Sequence, residues 1–384
     1  MFWREDQSIK PANSKDQGVH QPSRGIDLKE GLVSEENPSR SCQRHWLKNV
    51  IRRKKFDRTN SYGCHRYNQL KGETMRTASQ LFATSAVLFF ACAGIRLHAQ
   101  SGDNGLTLQS GGSTIHVSFP IPPPAPLKPV IQTWITKAAT AVTNYYRRYP
   151  VSAVNITVNL RNRLGVNDGH ASGWNGARIE IAVGRNNSAA LFDDDWIMTH
   201  EMVHLAFPSV AEKHHWIEEG LATYIEPVAR ARVGQLSPEK IWGDMVDGMP
   251  NGLPEGGDHG LDHTPTWGRT YWGGAMFCLY ADVEIRRRTH NQKGLEDAMR
   301  AILEKNGNIQ TEADLSDLLA TGDKATGVPV LTELYNEWSG KPVTPDLNSL
   351  WKQLGVVSDG KTVRFDDSAP LASVRKAITS GIAK

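Results

Sequence analysis

The most constraining feature of the sequence is the stretch THEMVHLAFPSVAEKHHWIEEGLATY, in which His200 and His204 stand four positions apart around Glu201. If this stretch begins as a helix, the two imidazoles project from one face and are close enough to hold a single metal ion. Glu201 then lies beside that face without binding the ion, where a general base for water activation is needed. The aspartates at 193–195 supply an N-cap and first turn, and Pro208 ends the predicted helix.

Two imidazoles leave a catalytic zinc ion short of ligands, because such an ion usually takes three protein ligands and a water. The second part of the stretch, HHWIEEGLATY, predicts another helix that turns back against the first. Its adjacent carboxylates, Glu218 and Glu219, are the candidates for the third ligand. Neighbouring helix positions point about 100° apart, so only one of the two can face the ion directly.

The pairing of these two motifs resembles the gluzincin zinc metallopeptidases of the peptidase MA-like superfamily. In that family an HExxH motif is followed by W-x-x-E-G-x-x-x-Y, and the ligand glutamate directly precedes the glycine. The matching residues here are Trp216, Glu219, Gly220 and Tyr224. The resemblance therefore favours Glu219 over Glu218 as the third ligand.

The resemblance implies a fold, a cofactor and a substrate class. We expect an α+β chain with a thermolysin-like zincin catalytic domain, in which a small N-terminal sheet is followed by a mostly helical C-terminal part. One Zn²⁺ ion would be held by His200, His204 and Glu219, with Glu201 as the general base. The substrate would be a peptide or protein. The alternative function is a catalytically inactive zincin-fold binding or surface protein, although no residue of the HExxH motif is replaced.

A second region, RTYWGGAMFCLYADVEIRRRT, extends the resemblance to the glycyl-aminopeptidase-like branch of these enzymes. In the family a tyrosine that precedes a helix stabilises the oxyanion of the tetrahedral intermediate, and Tyr271 matches it. Tyr224 and Tyr280 are its rivals. Tyr224 lies five positions after Glu219, which turns it off the metal face of a helix, and Tyr280 lies in an apolar run typical of a core.

The sequence departs from these aminopeptidases at two points. Gly273 stands where the family has lysine, and the sequence contains no G-x-M-E-N string, the element that captures the free amine of a substrate in many of them. Exopeptidase and endopeptidase action therefore both stay open.

Other candidate residues are less promising as functional sites. His259 and His263 also stand four positions apart, but the surrounding glycines favour a loop over a helix and argue against a second metal site. His214 and His215 precede the second helix and are expected on the surface or in a loop, with His215 a candidate for the cleft wall. Cys278 lies in an apolar run, which indicates a buried thiol.

The amino-terminal part of the chain has the features of a targeting segment. Residues 1–74 are polar and are expected to be disordered or a possible gene-model extension, with Met75 as the real start. Residues 75–99 have the layout of a signal peptide: a charged start, a short apolar centre, and a small residue, Ala99, at the cut. We therefore expect a secreted or periplasmic protein without stable membrane insertion after cleavage. A signal-anchored protein is the alternative, because the uncharged span is about 19 residues long.

The charge of the chain argues against a nucleic-acid partner. The net charge is +3 over all 384 residues, but the basic excess lies before Met75 and the remainder is mildly acidic. A mildly acidic mature chain provides no basic surface for a phosphate backbone.

The pattern of apolar residues divides the rest of the chain. An amphipathic helix is predicted from Val130 to Tyr145, and two half-buried strands are predicted in NITVNL and ARIEIAV, before a region that is almost entirely helical. We expect an N-terminal α/β lobe with edge strands at 100–192, the zinc-site helices at 193–292, and a helical C-terminal region at 293–384.

Overall fold

A computed structural model of the protein describes residues 105–380. The expected extension at 1–74 and signal peptide at 75–99 lie outside the described residues. Five strands form the main sheet: β1 (Gly105–Ser110), β2 (Ser113–Ser118), β3 (Ala153–Arg161), β4 (Val166–Ser172) and β5 (Arg178–Gly184). Their order is β1-β2-β3-β5-β4. The pairs β2/β3 and β3/β5 are parallel, whereas β1/β2 and β4/β5 are antiparallel, so β4 is an edge strand that runs against its neighbour.

Helices make up most of the chain after the sheet. They are α1 (Leu127–Tyr146), α2 (Ala189–Asp193), α3 (Ile197–His204), α4 (His215–Arg232), α5 (Pro238–Gly248), α6 (Gly274–Arg288), α7 (Leu295–Lys305), α8 (Leu315–Thr326), α9 (Val330–Trp338), α10 (Leu347–Leu354) and α11 (Ala372–Ser380). A π-helical segment, Gly268–Gly273, leads directly into α6. Among residues 105–380, no helix is long and apolar enough to cross a bilayer.

The observed elements confirm the predicted order of a small sheet followed by helices. The predicted helix corresponds to α1, and the two predicted strands correspond to β3 and β5. Apolar and polar residues alternate along both strands because one face of each strand is buried. Ile156 and Ile179, on that face, are completely buried.

Five strands were not predicted. Strands β1 and β2 form a hairpin in the Gly/Ser-rich start, which Gly111 allows by adopting a φ of 55°. Strand β4 has the polar sequence VNDGHAS and therefore lacks an apolar alternation. A small hairpin, β6 (Val356–Ser358) with β7 (Val363–Phe365), interrupts the C-terminal helices.

Helices α4 and α6 cross at a pair of glycines. A Cβ atom on Gly220 would lie within 3.0 Å of the backbone of Gly274, and one on Gly274 would lie within 3.0 Å of the Trp216 carbonyl oxygen. Real side chains do not approach backbone this closely, so the crossing requires glycine on both helices. This contact explains why a glycine directly follows Glu219, because it brings α4 against the segment that carries Tyr271.

We predict that Gly220→Ala destabilises the fold. The new methyl group meets backbone atoms that cannot rotate away, so the cost should be at or above the upper end of the about 1–3 kcal/mol typical of overpacking. Urea unfolding followed by circular dichroism measures it.

Gly243→Ala in α5 is the matched control, because its Cβ would meet only the Val363 Cγ2 atom at 3.6 Å. Alanine there should leave the stability unchanged or raise it by up to about 1 kcal/mol. Equal effects of the two substitutions would contradict the account of the helix crossing.

Candidate metal centre

Helices α3 and α4 bring the three predicted ligands together. The Nε2 atom of His200 lies 3.1 Å from Oε2 of Glu219, and the Nε2 atom of His204 lies 3.6 Å from the same oxygen. All three donor atoms lie within 4.8 Å of one another. Within residues 105–380, this is the only group of three or more His, Cys, Asp or Glu residues arranged closely enough to hold a metal ion.

The donor set fits zinc. Zinc binds imidazole nitrogen and carboxylate oxygen at about 2.0–2.2 Å, and a tetrahedral arrangement then separates neighbouring donors by about 3.3–3.6 Å. The two observed distances from the Glu219 oxygen, 3.1 and 3.6 Å, lie close to this range. Two imidazoles and a carboxylate also match a catalytic zinc site that keeps its fourth position for water or substrate.

Asp195 fixes the start of α3. Its carboxylate accepts hydrogen bonds from the backbone N–H groups of Ile197 and Met198, each at 3.1 Å, and from Trp134 Nε1 at 2.9 Å. Of the three aspartates expected at the helix start, Asp195, directly before the N-cap residue Trp196, therefore accepts the first-turn N–H groups. Asp193 instead pairs with Lys137 on the surface. The Trp134 contact ties the histidine-bearing helix to α1 and hence to the core.

The buried Glu219 carboxylate is held in its ionised form by the imidazoles that face it. Burial lowers the pKa of the His200 imidazole. Burial also opposes ionisation of Glu219, but the charge of His204 and hydrogen bonds from the neighbouring imidazoles hold its pKa well below the usual value. The centre is thus a buried, ionised carboxylate that faces two imidazoles: burial favours the neutral form of His200, whereas the Glu219 charge raises the pKa of His204 despite its burial.

Glu201 lies on the same helix, directly under the edge strand. A Cβ atom on Gly169 of β4 would lie 2.6 Å from Ile197 Cγ2 and 2.8 Å from Glu201 Oε1, so the strand passes over the carboxylate at a distance that only glycine allows. Burial raises the pKa of Glu201 to about 8, although a hydrogen bond from the Ala171 backbone lowers it. A carboxyl group with such a pKa is suited to take up and release a proton near neutral pH.

Gly169 is a site residue that the sequence reasoning missed. An isolated glycine in a strand often marks a close backbone approach, and that signal was present in VNDGHAS. Because β4 itself was not predicted, its glycine could not be recognised as a glycine within a strand.

Tyr271 lies against the candidate metal centre. Its ring stacks on the His200 ring with centroids 6.3 Å apart and an interplanar angle of 19°. The Trp267 ring also stacks on the Tyr271 ring, with centroids 6.4 Å apart. The π-helical segment that carries Tyr271 is anchored by Arg269, whose Nε lies 2.8 Å from Oδ2 of the buried Asp258. π-Helical turns are common at functional sites.

The rival tyrosines have structural partners elsewhere. The Tyr224 hydroxyl donates to Asp282 at 2.9 Å inside a buried polar network, in agreement with its predicted position off the metal face. Tyr280 is half-buried rather than part of the core, and its hydroxyl donates to the Asp346 carbonyl at 3.4 Å.

The remaining histidines divide into two groups. His259 and His263 are exposed and do not join the three-ligand group. His214 is buried and donates to Asp262, which also accepts hydrogen bonds from Trp216 and from Tyr335 of α9. The sequence reasoning missed Asp262 as the residue that fixes the start of α4, because its three donors are far away in sequence.

Cys278, the one cysteine among the described residues, is buried as expected. Burial raises the pKa of its thiol well above the usual value, so it is not a nucleophile.

Comparisons with known proteins bear on the fold. No model of a protein family matches the sequence, and no curated protein matches it. An aminopeptidase N family protein from Idiomarina loihiensis has a similar structure, with a TM-score of 0.50 and 11% identity over 67% of this chain and 50% of that chain. The fold is gluzincin-like. This confirms the resemblance indicated by the sequence at the level of the fold.

Other solved structures are similar at lower TM-scores. An M1 zinc metallopeptidase from Deinococcus radiodurans gives a TM-score of 0.42 and 15% identity over 63% of this chain and 51% of that chain. A point mutant of an M1 zinc metallopeptidase from the same organism, bound to a Tyr-Ser-Ala substrate, gives 0.42 and 16% over 63% and 52%. The chain spans about half the length of the solved structures that it matches.

We predict that Glu219→Gln weakens zinc binding far more than Glu218→Gln. Glu219 presents an oxygen to both imidazoles, whereas the Glu218 carboxylate accepts from the Val210 backbone and faces His215. The first substitution removes an anionic ligand. The second changes a contact one residue further from the ion, so its cost should lie at or below the lower end of the about 10- to 100-fold typical of outer contacts.

Competition with a chromophoric chelator measures the two affinities. Equal losses, or a larger loss for Glu218→Gln, would reverse the assignment of the third ligand.

Proposed function

We propose that this chain is a zinc-dependent metallopeptidase with a thermolysin-like zincin catalytic domain. The observation that carries the proposal is the convergence of His200, His204 and Glu219 on one point, with Glu201 on the same helix as the histidines. Two histidines with only a structural role would need neither the buried carboxylate of Glu219 facing both rings nor the buried carboxylate of Glu201 on the same helix. A hydrolytic metal site requires both.

In this proposal His200, His204 and Glu219 would hold one zinc ion. When bound there, zinc would supply Lewis acidity that acidifies water. Glu201 accepts a proton from water at its carboxylate and delivers it to the leaving amine. The burial of Glu201 supports this role, because it raises the pKa of the carboxyl group to about 8 and so stabilises the protonated form between the two transfers.

Tyr271 donates a hydrogen bond to the oxygen of the scissile carbonyl as negative charge develops there. Two features support this role. The ring lies parallel to that of a proposed zinc ligand, His200, and it is largely buried, with 8% of its surface exposed. A donor in a site that excludes water stabilises developing charge more strongly than one in bulk solvent.

The substrate in this proposal is a peptide or protein. The positions at which library peptides are cut will distinguish exopeptidase from endopeptidase action. The domain division at 193 and 293 and the secreted or periplasmic location, with signal anchoring as the alternative, stay predictions from the sequence.

Two substitutions separate the metal ligands from the base. His204→Ala removes a ligand and should lower zinc occupancy, whereas Glu201→Gln should leave zinc bound and abolish turnover, because ligands set affinity and the base sets rate. Zinc content is measured by mass spectrometry of the metal, and turnover by digestion of a mixed peptide library with the cut positions identified by mass spectrometry.

The wild-type chain is the reference for both measurements. If Glu201→Gln lost zinc as completely as His204→Ala, the roles would be assigned wrongly. If the wild-type chain bound zinc and cut no peptide in the library, the inactive zincin-fold binding protein would be the better interpretation.

We further predict that Tyr271→Phe slows the chemical step by about 10²–10³, or roughly 3–4 kcal/mol, while zinc content and fold are retained. Substrate binding should change little, since a donor directed at the transition state contributes little to the ground state. Steady-state kinetics on the best library peptide measure kcat and KM separately.

Tyr224→Phe and Tyr280→Phe are the matched controls, each removing one hydroxyl from a tyrosine with another partner. Near-normal turnover of Tyr271→Phe would refute the oxyanion role.

A further inference from the structure

His215 contacts the outer oxygen of the third ligand. Its Nε2 atom lies 3.4 Å from Oε1 of Glu219, while Oε2 of the same carboxylate faces His200 and His204. The two oxygens of Glu219 therefore have different neighbours: one faces the proposed ion and the other faces His215. Because His215 and Glu219 are one turn apart on α4, this contact needs no other element to form it.

The other side of the His215 ring is also held. Its Nδ1 atom lies 3.0 Å from Oε2 of Glu218. The Oε1 atom of Glu218 accepts a hydrogen bond from the Val210 backbone N–H at 3.3 Å. A chain of polar contacts thus runs from the loop after α3, through Glu218 and His215, to the carboxylate of Glu219.

The histidine ligand His200 lacks a comparable support. Metal-binding histidines usually donate the second ring N–H to an acceptor that fixes the ring. The Nδ1 atom of His200 is buried and has no hydrogen-bond partner among the described residues. The ring is instead confined by packing, with the Trp196 ring edge 5.1 Å away and Tyr271 stacked on its face.

From this asymmetry we infer that His215 is a positioning residue for the metal centre, which holds Glu219 with one oxygen directed at the ion. A carboxylate without that contact can rotate about its last side-chain bond and change between one-oxygen and two-oxygen binding. The contact removes this freedom before the ion arrives, so it raises affinity and fixes the coordination geometry. The inference rests on the zinc centre of the proposed function.

The ring nitrogens of His215 allow a matched set of substitutions. In His215→Gln the side-chain amide can replace the Nε2 donor that faces Glu219. In His215→Asn the amide can replace only the Nδ1 donor that faces Glu218. His215→Phe keeps the ring and removes both donors. The side chain of His215 is 36% exposed, so all three substitutions should be accommodated by the fold.

The experiment measures the zinc dissociation constant of the full chain by chelator competition, together with the visible spectrum of the cobalt-substituted protein. We expect His215→Phe and His215→Asn to weaken zinc binding by about 10- to 100-fold and to alter the cobalt bands, with His215→Gln close to the wild type. His259→Asn, at an exposed histidine outside the ligand group, should change neither readout. Thermal unfolding of the metal-free variants controls for general loss of stability.

Two results would overturn the role of His215. The first is wild-type zinc affinity and cobalt bands in His215→Phe. The second is a loss in His215→Gln as large as in His215→Asn, which would indicate a general effect on the start of α4. If the wild-type chain bound no zinc, both the proposed zinc centre and the positioning role of His215 would be refuted. A chain that binds zinc with the expected order of affinities and cuts no peptide would refute the peptidase activity alone.

Discussion

The site depends on one buried carboxylate, that of Glu219, which faces the imidazoles of His200 and His204. A buried carboxylate is costly unless it is paired or coordinates a cation. Here that cost is offset by neighbours from two helices, so α3 and α4 must be held in a fixed relation for the arrangement to persist. Much of the surrounding structure provides that relation.

The supports are close contacts at small residues and polar contacts at helix starts. Gly220 lets α4 touch α6, and Gly169 lets the edge strand pass over the proposed base. Asp195 and Asp262 fix the starts of α3 and α4 with three donors each. Each of these contacts lies close to a site residue. The geometry of the centre is therefore a consequence of packing around it and not of the ligands alone.

Two signals in the sequence pointed to this group of residues. Helix spacing placed His200 and His204 on one face, and the resemblance to a family motif favoured Glu219 over Glu218; the structure brings the three side chains together. Strand β4 and its Gly169 could not be predicted, because no apolar alternation marks a strand whose inner face contacts the carboxyl group of Glu201. Asp262 was missed for another reason: its donors come from segments up to 73 positions away, and no local pattern encodes such a contact.

The most direct test is the location of the ion itself. Crystals of the full chain grown with zinc, with data collected on both sides of the zinc absorption edge, should give one strong anomalous peak. We predict that this peak lies about 2.0–2.2 Å from the Nε2 atoms of His200 and His204 and from one oxygen of Glu219. A peak at other residues, such as His259 and His263, or no peak at a zinc concentration that saturates the protein in solution, would contradict the account.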